Sequence, residues 1–186
     1  LIEKYLTQNQ AFNTHPKLTK YLVNHYLSES NVKRSCEIFS QNQEPLNDEY
    51  LSKFNIYCLI IENKKDEAQM ILDLKKELGF KDDYFEKRIN FLFGFENKSD
   101  DKVSEKSILD FHLAHVTNPE FNFEPTENTD KIIWKYLSSS NLLTSLNEID
   151  ASEIDKISIL EKAANDKNYP ERDLLELYKR FQFNIN

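Results

Sequence analysis

The sequence predicts an all-α protein built of antiparallel helical hairpins. Only two glycines occur among its 186 residues, apolar residues recur at spacings of three and four, and short polar breaks separate the apolar stripes. Gly79 and Gly94 each follow such a stripe, where a left-handed residue lets the chain leave a helix. A chain this poor in glycine is unsuited to phosphate-binding loops, dinucleotide fingerprints and two-residue hairpins. We therefore expect a helical array of about 9 to 11 helices.

The first half contains the most regular helical pattern. A short helix is expected within 1–12, Pro16 opens a second helix, and Asn31 caps a third. The fourth helix begins within 45–48, and polar residues 63–66 separate it from the fifth. The inward stripe predicted for the fifth helix consists of Ala68, Ile71, Leu72 and Leu78. A sixth helix runs to Gly94, and we expect every helix to be amphipathic.

The second half is interrupted by the segment 117–128, which contains two prolines, three glutamates and no basic residue. We expect an extended strip there, preceded by a solvated loop at 95–107 and a helix at 108–116. Further helices are expected near 132–137, 142–146 and 154–164, and Pro170 opens the last one. The domain prediction is a helical-repeat lobe at 1–116, the strip at 117–128, and a second lobe at 129–186 packed on the first.

Charge and hydropathy narrow the range of partners. The formal net charge is −8 and the pI is near 5.1, so the basic surface that nucleic acid requires is not expected. The longest apolar run is 57–61, far short of a membrane span, and we predict no membrane insertion. The chain begins at Leu1, which suggests a fragment or a processed form. The compartment stays open between cytoplasm and periplasm.

The two cysteines, Cys36 and Cys58, are predicted to be small buried residues. If they lie on antiparallel helices whose ends are level, their offset along the helix axis is roughly 9 Å. A disulfide tolerates a Cα separation of up to about 7 Å. The bonded form is the alternative.

Residues 53–79 resemble a degenerate tetratricopeptide hairpin. The polar turn 63–67 is followed by Ala68 and Leu72, which match the small and large packing positions of the family's second helix. An earlier hairpin, 21–39, can be aligned with it if Cys36 takes the place of Ala68, a separation close to the family repeat of about 34 residues. The resemblance spans residues 20–94 and implies a superhelical α-solenoid with a role in partner binding. It transfers no functional residue.

Catalytic and metal chemistry find little support in the sequence. His112 and His115 are three residues apart on one helix and could share a metal ion. No HExxH motif, Cys-x-x-Cys motif or second histidine cluster accompanies them, so we assign them packing or surface roles. The paired carboxylates fall at helix starts or in polar loops, and no serine is flanked by glycine. We predict no cofactor, no metal and no enzyme activity.

The remaining candidates for binding residues are aromatic. Trp134 and Tyr136 fall almost opposite each other on their helix, so at most one of them is expected to lie wholly in the core. Together with Phe121 and Phe123 of the strip, they are the predicted partner-binding residues. Phe121 and Phe123 are expected to seal a joint between the lobes; the alternative is that the strip fills a groove that a peptide could occupy.

The leading functional prediction is a non-catalytic scaffold that binds a neutral or basic protein or peptide. One alternative is a helical accessory or regulatory domain of a larger enzyme. Another is a helical protein that binds a small ligand or a metal through His112 and His115. The partner's identity and the oligomeric state are not predicted.

Overall fold

The computed structural model describes residues 1–9, 14–40, 47–97, 101–143 and 149–181. Ten helices occur within these ranges, which contain no β-strand: α1 Ile2–Asn9, α2 Pro16–Ser28, α3 Val32–Ser40, α4 Glu49–Ile61, α5 Lys65–Glu77, α6 Asp83–Phe93, α7 Ile108–Thr117, α8 Lys131–Ser139, α9 Ile154–Asn165 and α10 Glu171–Arg180. The all-α prediction is confirmed. The helix expected at 142–146 lies largely outside the described residues. Among the helices described, none is long and apolar enough to cross a membrane.

Residues in the left-handed conformation follow several of these helices, as predicted for the two glycines. Gly79 and Gly94 have φ angles of +94° and +89°, and each follows the end of its helix. Four non-glycine residues adopt the same conformation at other helix ends: Ser30, Asn63, Asn141 and Lys167. Side-chain caps mark several helix starts, and the predicted cap Asn31 accepts from the backbone N–H of Arg34 at 3.2 Å.

The chain divides into two compact units. Unit 1 comprises residues 1–27 and 31–121, and unit 2 comprises residues 28–30 and 122–186. The division therefore falls within the segment 117–128, which is non-helical after Thr117.

Two helices of unit 1 are buried on nearly every side, which corrects the expectation that every helix is amphipathic. Nine of the thirteen residues of α4 are buried, and so are eight of the ten residues of α7. Helices α3, α5 and α6 pack around α4, and α7 packs on α6. A helix that is apolar all round belongs in a core. Unit 1 thus contains two largely buried helices, with α3, α5 and α6 packed on α4 and α6 also packed on α7.

The expectation of two unbonded cysteines was wrong, because Cys36 and Cys58 form a disulfide with a Cα separation of 5.4 Å. The error came from assuming that the ends of α3 and α4 are level. Phe39 stacks on Phe54 with ring centroids 5.5 Å apart, so the end of α3 lies beside the second turn of α4 rather than its start. This displacement along the helix axis brings Cys36 level with Cys58.

Helices α8, α9 and α10 belong to unit 2, where α9 packs on α10. Trp134 and Tyr136 are both buried there, with exposures of 3% and 1%. The expectation that at most one of them is wholly in the core was therefore wrong. The other buried apolar residues of unit 2 are Ile133, Leu137, Leu143, Ile149, Leu160, Ala163, Ala164, Tyr169 and Leu177.

Candidate functional site

Helix α5 carries two separate apolar faces. One contains Ala68 and Leu72, both fully buried, and α5 packs against α4. On a second side, α5 is tied to α6, since the Lys76 ammonium pairs with Glu86 at 2.7 Å. The Lys65 ammonium also donates to the carbonyl oxygens of Leu92 and Phe93 at the end of α6. These contacts fix the rotation of α5 and turn its remaining side outward.

That outward side presents an apolar row, which we call the α5 ridge: Met70, Leu74 and Leu78. Their exposed fractions are 66%, 55% and 76%. The spacing of four residues places each side chain almost above the last, so that they form one continuous ridge. Single exposed apolar residues are ordinary on protein surfaces, whereas a contiguous apolar row is typical of an interaction site.

Acidic residues lie around most of the ridge. Helical spacing places Asp66 in the same row, one turn before Met70, and Asp73 and Glu77 along one flank. Glu67 lies on the other flank, which continues through Ile71 to Lys75. All four carboxylate residues are exposed. The Asp73 carboxylate accepts a hydrogen bond of 2.8 Å from the Gln69 side-chain amide, which holds this carboxylate in place. The α5 ridge is therefore an apolar row bordered by four carboxylates, with Lys75 as the basic residue beside Leu78.

The four residues expected to bind a partner are buried or half-buried. Trp134 and Tyr136 are buried residues of unit 2. Phe121 is half-buried in unit 1, where its ring packs edge-on against Phe111 at 5.6 Å and lies 5.2 Å from His115. Phe123 is also half-buried and belongs to unit 2. None of the four is among the exposed large hydrophobic residues of the described chain.

The two histidines of α7 differ in burial. His112 is buried, and its Nε2 lies 2.6 Å from the Tyr57 hydroxyl. Burial, together with the nearby His115, lowers the pKa of His112 to about 3, so its ring is neutral at physiological pH. His115 is half-buried beside Phe121. Within the described ranges, no group of three or more His, Cys, Asp or Glu side chains could hold a metal ion.

Sequence reasoning missed the α5 ridge. It placed Leu78 on the inward stripe with Ala68 and Leu72, and it gave Met70 and Leu74 no role. The signal was present as a second series of apolar residues spaced by four on the same helix. Choosing between the two series requires knowing where α4 and α6 lie, and periodicity alone does not provide this.

No family model, no curated protein and no solved structure matches the chain. A functional assignment therefore rests on the geometry of the described residues.

Proposed function

We propose that this protein is a non-catalytic interaction module that binds a basic amphipathic helix of a partner protein on the α5 ridge. The observation that carries the proposal is the outward row of Met70, Leu74 and Leu78 within an acidic border. The role agrees with the tetratricopeptide-like, α-solenoid arrangement that residues 53–79 resemble. In that arrangement a helical hairpin offers one side to its neighbours and another to a partner.

The apolar part of the ridge has a limited binding energy. Fully burying a Leu or Met side chain stabilises by about 1.5–3 kcal/mol, and the three exposed fractions add up to about two complete side chains. The gross gain is therefore about 3–6 kcal/mol, which does not cover the entropy cost of association by itself. The partner must contribute further contacts, and the acidic border is the nearest source of them.

The charge of the border selects the partner. Lysine or arginine on either side of a partner's apolar stripe would lie opposite Asp66, Glu67, Asp73 and Glu77. Acidic segments would be repelled by the border and by the net charge of −8. Exposed charge pairs of this kind contribute more to association rate and selectivity than to affinity, and they weaken as salt is added.

The geometry of the ridge also makes a structural prediction. A row of residues spaced by four is inclined to the helix axis, and two such rows interdigitate when helices cross at about −50°. The partner helix should therefore cross α5 obliquely rather than lie along it. Its own contacts should be apolar residues at spacings of three and four.

The experiment is affinity capture from the source organism with three baits: the native chain, Leu74→Glu and Leu175→Glu. Leu175, on α10, is the matched control because its exposure of 53% is close to the 55% of Leu74. We expect a protein containing a basic amphipathic segment to be enriched by the native and Leu175→Glu baits and lost with Leu74→Glu. Enrichment of nothing, or equal enrichment by all three baits, would refute the proposal.

Binding of the captured segment is then measured as a synthetic peptide. Leu74→Ala should raise Kd about fivefold, since it removes about 1 kcal/mol of apolar burial, whereas Leu175→Ala should leave Kd unchanged. Glu77→Lys should weaken binding at low salt and have little effect at high salt. An acidic segment, or binding that Glu77→Lys strengthens, would contradict the assignment of charge.

A further inference from the structure

Met70 carries the one accessible sulfur atom of this chain. The sequence contains two cysteines and one methionine. Cys36 and Cys58 are bonded to each other and are only 3% and 2% exposed, whereas Met70 is 66% exposed. Cysteine thiolates would compete with methionine for oxidants, and the disulfide removes both of them from that competition. Oxidation at sulfur is therefore directed to a single residue.

Met70 lies on the α5 ridge. It precedes Leu74 by one helical turn, so the two side chains are neighbours in the apolar row. A methionine thioether is apolar and flexible, which suits a surface that has to fit the apolar residues of a partner. Oxidation to the sulfoxide makes the same side chain polar. A change of polarity at the accessible sulfur thus acts directly on the proposed contact.

The side chains that adjoin Met70 on α5 offer no hydrogen bond to a sulfoxide oxygen. Residues three and four positions away are neighbours on a helix, and here they are Asp66, Glu67, Asp73 and Leu74. Ionised carboxylates only accept hydrogen bonds, and a leucine side chain has no polar atom. A sulfoxide oxygen at this position would depend on water, which a partner helix on the ridge displaces. Burying such an acceptor without a donor costs free energy.

We propose that Met70 is an oxidation site, at which a hydroperoxide converts the α5 ridge from a binding to a non-binding surface. The inference rests on the proposed function of the ridge. In the reaction, an electron pair of the thioether sulfur forms a bond to one oxygen of the peroxide as the O–O bond breaks. The other oxygen leaves as hydroxide or alkoxide and takes the proton of the transferred oxygen to give water or an alcohol. The sulfur is oxidised and the peroxide is reduced.

The modification is reversible through a second class of co-reactant. Sulfoxide reductases take electrons from two thiols, which end as a disulfide, while the oxygen leaves as water. Binding and oxidation should also oppose each other, because a helix that lies on the ridge covers Met70. An occupied ridge is therefore protected, and an oxidised ridge stays empty until the sulfoxide is reduced.

The first measurement needs no partner. The native chain and N-acetylmethionine amide are treated with about 10 mM hydrogen peroxide, and mass spectrometry follows the uptake of oxygen and locates it. We expect one oxygen atom on Met70, added at a rate within about threefold of the rate for the free amide. The urea midpoint should not change, since the side chain lies outside the core. A slower reaction, a first oxygen at another residue or a lower midpoint would overturn the proposal.

The second measurement is binding, with a synthetic helix of leucine and lysine as the probe. The peptide has about 14 residues, with leucines at spacings of three and four and no sulfur. Oxidised protein should bind it with a Kd at least about tenfold above that of the native chain. Met70→Leu is the matched control, since it keeps an apolar side chain of similar volume without a thioether. Its Kd should lie within about threefold of the native value and should not respond to peroxide.

The outcomes separate this inference from the proposed function. If neither the native chain nor Met70→Leu binds the probe, the proposed function is wrong and the inference falls with it. If the native chain binds and oxidation raises Kd by less than about tenfold, only the inference is wrong. An equal loss of binding in peroxide-treated Met70→Leu would show that the peroxide acts at another residue, and would also refute it.

Reversal and protection complete the test. Methionine sulfoxide reductase with dithiothreitol should restore the native Kd, and Met70→Leu treated in the same way shows whether reducing the Cys36–Cys58 bond affects binding. A loss of binding that persists after the sulfoxide has been reduced would contradict the proposal. A saturating concentration of the probe should slow the oxidation of Met70 at least about fivefold. Equal oxidation rates with and without the probe would mean that a bound helix does not cover Met70, and the assignment would be wrong.

Discussion

Removing the Cys36–Cys58 disulfide should destabilise unit 1 by about 3 kcal/mol. The bond joins residues 22 apart in sequence, and both cysteines are buried, with exposures of 3% and 2%. In the chain-entropy description, cross-linking a loop of this length removes about 11 cal/mol/K from the unfolded ensemble, which is about 3 kcal/mol at 25 °C. With a typical urea m-value of about 2 kcal/mol/M, the midpoint should fall by about 1.5 M.

The assay compares oxidised protein with protein reduced and refolded in the presence of a phosphine reductant. Urea unfolding is followed by hydrogen exchange of peptides from α3 and α4, which carry the two cysteines. Fluorescence of Trp134, the one tryptophan, reports on unit 2 in the same samples. We expect the α3 and α4 transition to move to lower urea. The variant Cys36→Ala/Cys58→Ala should show no further response to the reductant.

Two results would refute this reasoning. Two titratable thiols in the unreduced, denatured chain would mean that the bond does not form. Equal midpoints for oxidised and reduced α3 and α4 peptides would mean that closing the loop adds no stability. The reductant is the cleaner perturbation, since substituting both buried cysteines also removes packing.

Three further predictions concern buried and strained positions. His112, whose pKa falls from 6.5 to about 3 on folding, binds fewer protons than the unfolded chain between these values, so stability is full above pH 6.5 and declines as the pH falls toward 3. His112→Gln should therefore reduce the loss between pH 6.5 and 5 by up to about 2 kcal/mol in urea titrations, and an unchanged slope would contradict the burial argument. Arg88→Met should cost about 3 kcal/mol in thermal unfolding, because two hydrogen bonds of a buried guanidinium are lost. Arg172→Met, at a side chain that is 86% exposed, should cost under about 0.5 kcal/mol, and equal losses would show that burial is not the cause. Gly94→Ala should cost about 1–2 kcal/mol by denaturant melts through its φ of +89° alone, since no atom lies within 4 Å of the added methyl group; a cost near zero would mean that the left-handed conformation is not retained.

Helix boundaries could be predicted from the sequence because the interactions that set them act over only a few residues. Two glycines at helix ends, the Asn31 cap and the first-turn position of Pro16 each predicted a helix boundary. Their signals depend only on φ and on unsatisfied backbone groups. The helical fold class follows from the same evidence, together with apolar spacings of three and four.

Tertiary packing determined which face of each helix is buried and which is exposed. Periodicity showed that α5 has apolar residues, but only the positions of α4 and α6 left Met70, Leu74 and Leu78 outward. It also buried both Trp134 and Tyr136, which lie almost opposite each other on α8.

By itself, then, the sequence determined the helices, most of their ends and the net charge of −8. Only the tertiary structure determined the Cys36–Cys58 bond, the burial of Arg88 and the exposure of Met70. The physical reason is distance along the chain. A cap acts within one turn, whereas a disulfide, a buried charge or an exposed apolar row depends on how separate helices are displaced and rotated against one another.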